Sequence, residues 1–196
     1  MKGRKPAQRE NEIKLAIPAA LDGRRLLRQA GFRISKARVL EVNVVFDTPD
    51  LRILGAGSLL RLREVRGGGL LTYKGPAAGG TRHKSRQEIE SAVENPAAAR
   101  LILERLGHQA IFQYEKFRTE FARPGEPGIA TVDETPIGVF LEIEGPPRWV
   151  DRTARTLGFS ARDYITLSYW RLYLEYCEAR GMAPQNMVFA CATKGK

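Results

Sequence analysis

Glu10, Glu12 and Lys14 occupy every second position of one short stretch, with Asn11, Ile13 and Leu15 between them. On a β-strand this spacing projects two carboxylates and an ammonium from one face. The alternation recurs at Arg61/Arg63, Thr72/Lys74, Arg86/Glu88/Glu90, Lys116/Arg118 and Glu142/Glu144, while the skipped positions Leu60, Leu62, Leu71, Ile89, Phe117, Leu141 and Ile143 are apolar. The signs segregate: the 61–63 and 116–118 pairs are cationic and the 142–144 pair is anionic. Solvated outer faces would mix signs more freely, so one shared charged surface is the better reading. Its chemistry would suit an anionic ligand over the cations and a divalent metal over the carboxylates.

The elements that must position these rows follow from local pattern. Strands are predicted over 9–17, about 34–46, 58–66, 70–75, 85–94, 109–122, 128–134 and 138–145, and helices over 19–30, 97–106, about 148–157 and 164–180. Asn95-Pro96 supplies a cap and first-turn proline, and Gly31, Gly107 and Gly181 supply stops. Gly67-Gly68-Gly69 reads as a hairpin turn and 76–84 as a flexible loop. About eight antiparallel strands with few helices can close on themselves, which removes exposed edges. The fold class is therefore α+β, a closed eight-stranded antiparallel barrel with its charged face inward and helices packed on the apolar outside. No linker divides the chain, so 1–181 is one domain and 182–196 a loosely held tail.

Composition narrows the partners. The 196 residues carry 32 Lys plus Arg against 22 Asp plus Glu, a net charge of +10, which favours an anionic partner. Several terminal cations (Lys2, Arg4, Lys5, Arg9, Lys194 and Lys196) are expected to be solvated, which weakens the case for a broad nucleic-acid surface. No apolar run approaches a membrane span and no secretory signal is visible. The two cysteines, Cys177 and Cys191, lack metal-ligand spacing and point to a reducing cytoplasm. His83 and His108 are too few for a histidine-based centre.

Glu10-Asn11-Glu12-Ile13-Lys14 resembles the ExExK signature of the CYTH family, the triphosphate tunnel metalloenzymes. Asn43-Val44-Val45-Phe46-Asp47-Thr48-Pro49 resembles the family's N-x-YFDTP segment, with Val45 where tyrosine is usual. Leu60–Arg63, Leu71–Pro76, Lys84–Glu90, Lys116–Arg118, Asp133 and Phe140–Gly145 resemble further segments in family order, and Ser168-Tyr169 a C-terminal one. The wording of the middle strands is nearest the class IV adenylyl cyclase-like branch.

The resemblance implies an eight-stranded tunnel that holds a triphosphate and uses Mg²⁺ or Mn²⁺. It implies metal on Glu10, Glu12, Asp133, Glu142 and Glu144, and phosphates gripped by Lys14, Arg61, Arg63, Lys74, Arg86, Lys116 and Arg118, with Lys14, Glu12 and Glu144 central to catalysis. Water as attacker would make a triphosphatase acting on inorganic, thiamine or nucleoside triphosphate. The ribose 3′-hydroxyl of ATP as attacker would make cyclic AMP and pyrophosphate. A different class is a silent module binding polyphosphate, nucleotide or RNA, against which the retained glutamates argue. A homodimer is common among relatives.

Other residues keep two readings. Glu88 and Glu90 either line the site or pair with Arg86 or Lys74. Glu120, His83 and Lys84 are expected at the surface, Asp47 as a turn stabiliser, and Tyr169, Trp170, Tyr173 and Tyr176 as packing rather than a stacking platform.

Overall fold

The computed structural model describes residues 8–78 and 82–190. The expectations for the terminal cations Lys2, Arg4, Lys5, Lys194 and Lys196, for Cys191, and for the middle of the 76–84 loop lie outside these residues. Eight strands form one closed antiparallel barrel: β1 (Gln8–Ile17), β2 (Arg33–Asp47), β3 (Leu59–Val65), β4 (Gly68–Lys74), β5 (Lys84–Val93), β6 (Gln109–Ala122), β7 (Ile129–Thr135) and β8 (Gly138–Glu144). Their order around the barrel is β1-β5-β4-β3-β2-β6-β7-β8. Among the described residues five α-helices accompany them: α1 (Ala20–Gln29), α2 (Arg52–Gly55), α3 (Pro96–Arg105), α4 (Pro147–Thr156) and α5 (Tyr169–Glu178). Among the described residues no helix is long and apolar enough to cross a membrane.

The apolar parity of the strands faces outward, as the alternation requires. Ile13, Leu15 and Ile17 of β1, Ala130 and Val132 of β7, and Leu141 and Ile143 of β8 are buried beneath α1 and α4, which contribute Leu27, Trp149, Val150 and Ala154. Gly23 sits mid-helix, where glycine ordinarily costs about 1 kcal/mol relative to alanine. Here a Cβ would come within 2.5 Å of Ile17 Cδ1, so its absence sets how closely α1 lies on the barrel. On the opposite side Leu103 of α3 covers Val44, Phe46 and Leu62. The outer face of β5 differs from expectation: Ile89 is 52% exposed with no helix over it.

Three local differences from the sequence pattern bear on the site. The β3–β4 connection is only two residues, Arg66 and Gly67, both at positive φ (46° and 81°), and Gly68 and Gly69 already belong to β4. That is the twist-matched two-residue hairpin. Next, the expected helix over 164–180 begins at Tyr169, because Ile165 is held extended: its N–H and C=O bond the backbone of Lys14 at 2.9 and 2.8 Å. Ser168 then caps α5 by accepting from the Arg171 N–H. Finally, residues 182–190, expected as part of a loose tail, lie along β6. Met187 is 1% exposed, its N–H donates to the Gln113 carbonyl, and its carbonyl accepts from the Glu115 N–H. β7 pairs with β6 only from Phe117 onward, so this stretch of β6 presents an open edge that the chain fills.

Trp149 packs over the point where β8 leaves the barrel and β7 begins. A Cβ at Gly128 would clash with the Trp149 ring and stand 2.5 Å from the Glu144 carbonyl oxygen. Gly128→Ala is therefore expected to cost roughly 1–3 kcal/mol, the usual cost of overpacking, read as a lowered thermal midpoint. An unchanged midpoint would show that Trp149 is not fixed there.

Candidate functional site

Barrel closure turns the charged rows inward and sets them opposite one another. Across β1 and β8, Lys14 faces Glu142 and Glu12 faces Glu144. Across β1 and β5, Glu12 faces Lys84 and Glu10 faces Arg86. Lys74 faces Glu88, Glu41 faces Lys116, and Arg118 faces Asp133. The rows enclose a cavity of about 260 Å³ whose lining is dominated by charged side chains.

Most of these charges are paired. Asp133 is fully buried; it accepts from Lys116 Nζ at 2.7 Å, from Arg118 Nε and Nη2 at 2.7 and 2.6 Å, and from the Tyr169 hydroxyl at 2.8 Å. Lys14 Nζ stands 3.0 Å from Glu12 Oε1 and 3.4 Å from Glu142 Oε1, and Arg118 also pairs with Glu142. Lys74 pairs with Glu10 and, at 3.1 Å, with Glu88. Lys84 reaches Glu12 at 3.3 Å. Arg63 stands 3.2 Å from Glu41. At one end the bore is closed by Tyr169, whose ring lies beneath Lys14 and Lys116 at 5.3 and 4.9 Å and packs among Tyr114, Phe140 and Tyr173.

Two groups depart from this balance. Arg86 is 8% exposed, makes no ion pair with a carboxylate among the described residues, and its Nε has no hydrogen-bond acceptor. Arg61 Nε and Asn43 Nδ2 are likewise buried donors without an acceptor. Such donors are costly unless satisfied, and phosphate oxygens are the acceptors a guanidinium suits best. Glu144 is the complementary case, half-buried and with no ion-pair partner among the described residues. Burial, then the carboxylates of Glu10, Glu12 and Glu88, push its pKa up to about 8 despite Lys74. Burial, Glu12 and Glu88 push Glu10 up to about 7, again against Lys74. Burial would raise Glu12 as well, but Lys14, Lys84 and Lys74 outweigh it and hold that carboxyl well below its ordinary value. Lys84 is lowered to about 8 by burial, Lys14 and Arg86, partly offset by Glu12.

The bore therefore combines acceptor-starved cations with crowded carboxylates. Among the described residues no three His, Cys, Asp or Glu side chains come together tightly enough to cage a metal. Glu10, Glu12 and Glu144 nonetheless fit a hard divalent cation: they are oxygen donors in mutual repulsion, and Mg²⁺ normally takes one or two carboxylates and completes its shell with water and substrate phosphate oxygens.

The CYTH domain matches residues 8–169 of this chain, spanning every strand of the barrel. The chain belongs to the CYTH family. A Methanocaldococcus jannaschii protein provisionally named adenylate cyclase is 30% identical over 136 residues, covering 69% of this chain and 75% of its own. A Vibrio parahaemolyticus structure with the same provisional name superposes with a TM-score of 0.73 at 22% identity, over 85% of this chain and 98% of that one. A Hippeastrum protein, provisionally an adenylyl cyclase and described as having a dominant triphosphatase activity, superposes with a TM-score of 0.62 at 18% identity, over 89% and 97%.

Within this CYTH barrel, the sequence-derived residues Glu10, Glu12, Lys14, Arg61, Arg63, Lys74, Arg86, Lys116, Arg118, Glu142 and Glu144 all line the one cavity. Asp133, expected as a further metal carboxylate, lies beneath them, and its oxygens are spent on Lys116, Arg118, Tyr169 and Thr131. It anchors Lys116 and Arg118 and is no open ligand. Glu142 is similarly engaged between Lys14 and Arg118. Glu88 and Glu90 line the bore and also pair, with Lys74 and, at 3.9 Å, with Arg61. Asp47 is the turn stabiliser expected, accepting from the N–H groups of Thr48, Ile53 and Leu54.

Lys84 and Glu120, expected at the surface, line the cavity instead. Lys84 is the first residue of β5, and inward parity carries it onto Glu12; His83 beside it is buried on Asp151 at 2.7 Å. Tyr169 forms the floor of the site as well as packing. Glu41, Asn43 and Tyr114 were missed. Tyr114 shares the parity of Lys116, which extended alternation through β6 would have flagged, whereas Glu41 and Asn43 lie in β2, where apolar residues fall on both parities.

Glu10 and Glu144 hold protons that the unfolded chain, with carboxyls near 4.5, has already released. Their stabilising contribution is complete below about pH 4.5 and is lost as pH rises through about 7 to 8. The thermal midpoint of chelator-treated protein is expected to decline from pH 5 to pH 8, with a shallower slope in Glu144→Gln. Identical slopes in the two proteins would mean that Glu144 ionises normally.

Proposed function

We propose that this CYTH protein is a divalent-metal-dependent enzyme that grips the triphosphate of a small molecule in its bore and cleaves a phosphoanhydride there. The observation that carries this reading is the coexistence, in one buried cavity, of Arg86 without a carboxylate ion-pair partner and Glu144 without a cationic one among the described residues. A polyanion satisfies the first and a divalent cation the second. Mg²⁺ or Mn²⁺ bound at Glu10, Glu12 and Glu144 supplies charge neutralisation on the phosphate oxygens.

The protein's own part is positioning. Arg61, Arg63 and Arg86 present guanidinium donors, Lys116 and Arg118 are fixed by Asp133, and Lys14 is fixed between Glu12 and Glu142. Lys14, Lys74 and Lys84 are bound to the acids that would take the metal. A cation held by those acids would free the ammonium groups for phosphate, so metal and triphosphate would each raise the other's affinity. With water as attacker the enzyme is a triphosphatase, the activity described for the Hippeastrum relative; with the ribose 3′-hydroxyl of ATP it is an adenylyl cyclase, the provisional name of others.

Purified protein incubated with ATP, inorganic triphosphate or thiamine triphosphate and Mg²⁺ or Mn²⁺ separates these: cyclic AMP with pyrophosphate marks the cyclase, orthophosphate the hydrolase. Tight polyanion binding without turnover of any of them would instead make the protein a binding module. Glu12→Gln and Glu144→Gln are each expected to lower metal-dependent turnover by at least about 10–100-fold, the loss typical even of residues that only orient a metal's ligands, with far-UV dichroism unchanged. Full activity in both would remove them from the site. Arg86→Ala should lower kcat/KM by roughly 10²–10³, as for loss of one preorganised donor to developing charge; a wild-type value would show that Arg86 does not face the phosphates.

A further inference from the structure

Two tyrosines line the bore, and their hydroxyls differ. Tyr169 donates to Asp133 at 2.8 Å, so its proton is already spent. Tyr114 lies two residues before Lys116 on β6, is 6% exposed, and accepts from Arg61 Nη1 at 3.3 Å. A phenol oxygen both accepts and donates. Arg61 occupies the accepting side, and among the described residues no oxygen takes the Tyr114 proton. Arg61 is fixed in turn by Thr72, whose hydroxyl accepts from Nη2 at 3.2 Å and donates to Glu90 at 3.0 Å. The phenol ring is fixed as well. It stacks on Phe112 with centroids 5.6 Å apart, leans on Tyr169 at 6.0 Å, and sits where Met187 is hydrogen-bonded to both chain neighbours, Gln113 and Glu115.

We propose that Tyr114 is a further substrate-touching residue of the bore, its hydroxyl donating to a phosphate oxygen seated beside Arg61. The inference rests on the triphosphate reading above and adds to it a residue outside the charged rows. A buried donor without an acceptor is costly, and an anionic oxygen satisfies it best. Arg61 offers a second donor at the same place, because its Nε is also buried without an acceptor. Burial raises the Tyr114 pKa, but Arg61, Lys116 and Arg63 outweigh it and bring the hydroxyl below its ordinary value, which strengthens it as a donor to an anion. Being neutral, Tyr114 needs no carboxylate to hold it in the bore. Lys14, Lys74 and Lys84 each pair with an acid there, whereas the Tyr114 proton is available before any metal binds.

Calorimetric titration of inorganic triphosphate in the presence of Mg²⁺ tests this on the wild-type chain, Tyr114→Phe, Arg61→Ala and the double variant. Tyr114→Phe deletes one hydroxyl and keeps the ring in its aromatic cluster. Its affinity is expected to fall roughly 10- to 100-fold, the range for a hydrogen bond to a charged group. A fall of the same size is expected between Arg61→Ala and the double variant, because the phenol meets the phosphate itself. On the wild-type chain, saturating triphosphate should also red-shift tyrosine absorbance as the phenol gains an anionic acceptor. Undiminished affinity in Tyr114→Phe, or a loss that disappears in the Arg61→Ala background, reduces Tyr114 to a support for Arg61 and overturns the proposal, with the triphosphate site standing. An unshifted tyrosine spectrum at saturation overturns it without recourse to any variant. Failure of the wild-type chain to bind triphosphate overturns both readings.

Discussion

The interior depends on opposite charges placed in register across neighbouring strands. An isolated ion taken out of water costs several kcal/mol, and its partner's attraction offsets this only when geometry is good and the remaining hydrogen bonds are made. Lys116 and Asp133, 2% and 0% exposed, are tolerable because Arg118 and Tyr169 complete the carboxylate's bonds. The same pairing constrains register. A slip of one residue along β1 would drive Ile13 and Leu15 into the charged bore and Glu12 and Lys14 beneath α1 and α4. Charge alternation and apolar alternation therefore enforce one arrangement, and the barrel cannot satisfy one without the other.

Where pairing is incomplete, the structure acquires chemistry. The acids of β1 and β8 crowd at Glu10, Glu12 and Glu144, whereas β5 presents Arg86, which pairs with no carboxylate among the described residues. A barrel built only for stability would have paired these groups or replaced them with apolar residues, which is often neutral or stabilising. In the proposed function, a crowded Glu144 and an Arg86 with no acceptor among the described residues would hold free energy that binding of a metal and a polyphosphate would release.

The ends of the bore are controlled by segments outside the eight strands. Ile165 extends the edge of β1 beyond β5 and so aims Tyr169 at the floor, where it meets Asp133. His83, held on Asp151 of α4, fixes the approach to β5 and with it Lys84. Both contacts tie chain outside the barrel to the cations lining the bore. The 182–190 segment performs a related service by closing the free edge of β6 behind Tyr114.

Strand parity was legible in the sequence because it is local. Two-residue alternation at Glu10–Lys14, Arg61–Arg63 and Glu142–Glu144 fixes which side chains share a face, and the segregation of signs announces that this face is inward. The residues that escaped notice did so for identifiable reasons. Glu41 and Asn43 sit in a run of valines whose apolar side chains fall on both parities, with β2 irregular against β6 near Val45 and Phe46, so no clean pattern marks them. Lys84 borders a loop and joins the rows only because β5 starts one residue earlier than its composition suggests. Sequence alone determined the charged rows, their inward sense and the family. Tertiary structure decided which charge neutralises which, because Asp133 meets Arg118, Lys116 and Tyr169, and Glu12 meets Lys84, only when strands distant along the chain are closed into a ring. It likewise left Arg86 and Glu144 without ion-pair partners among the described residues, since pairing is a property of neighbours in space that no spacing along one strand encodes.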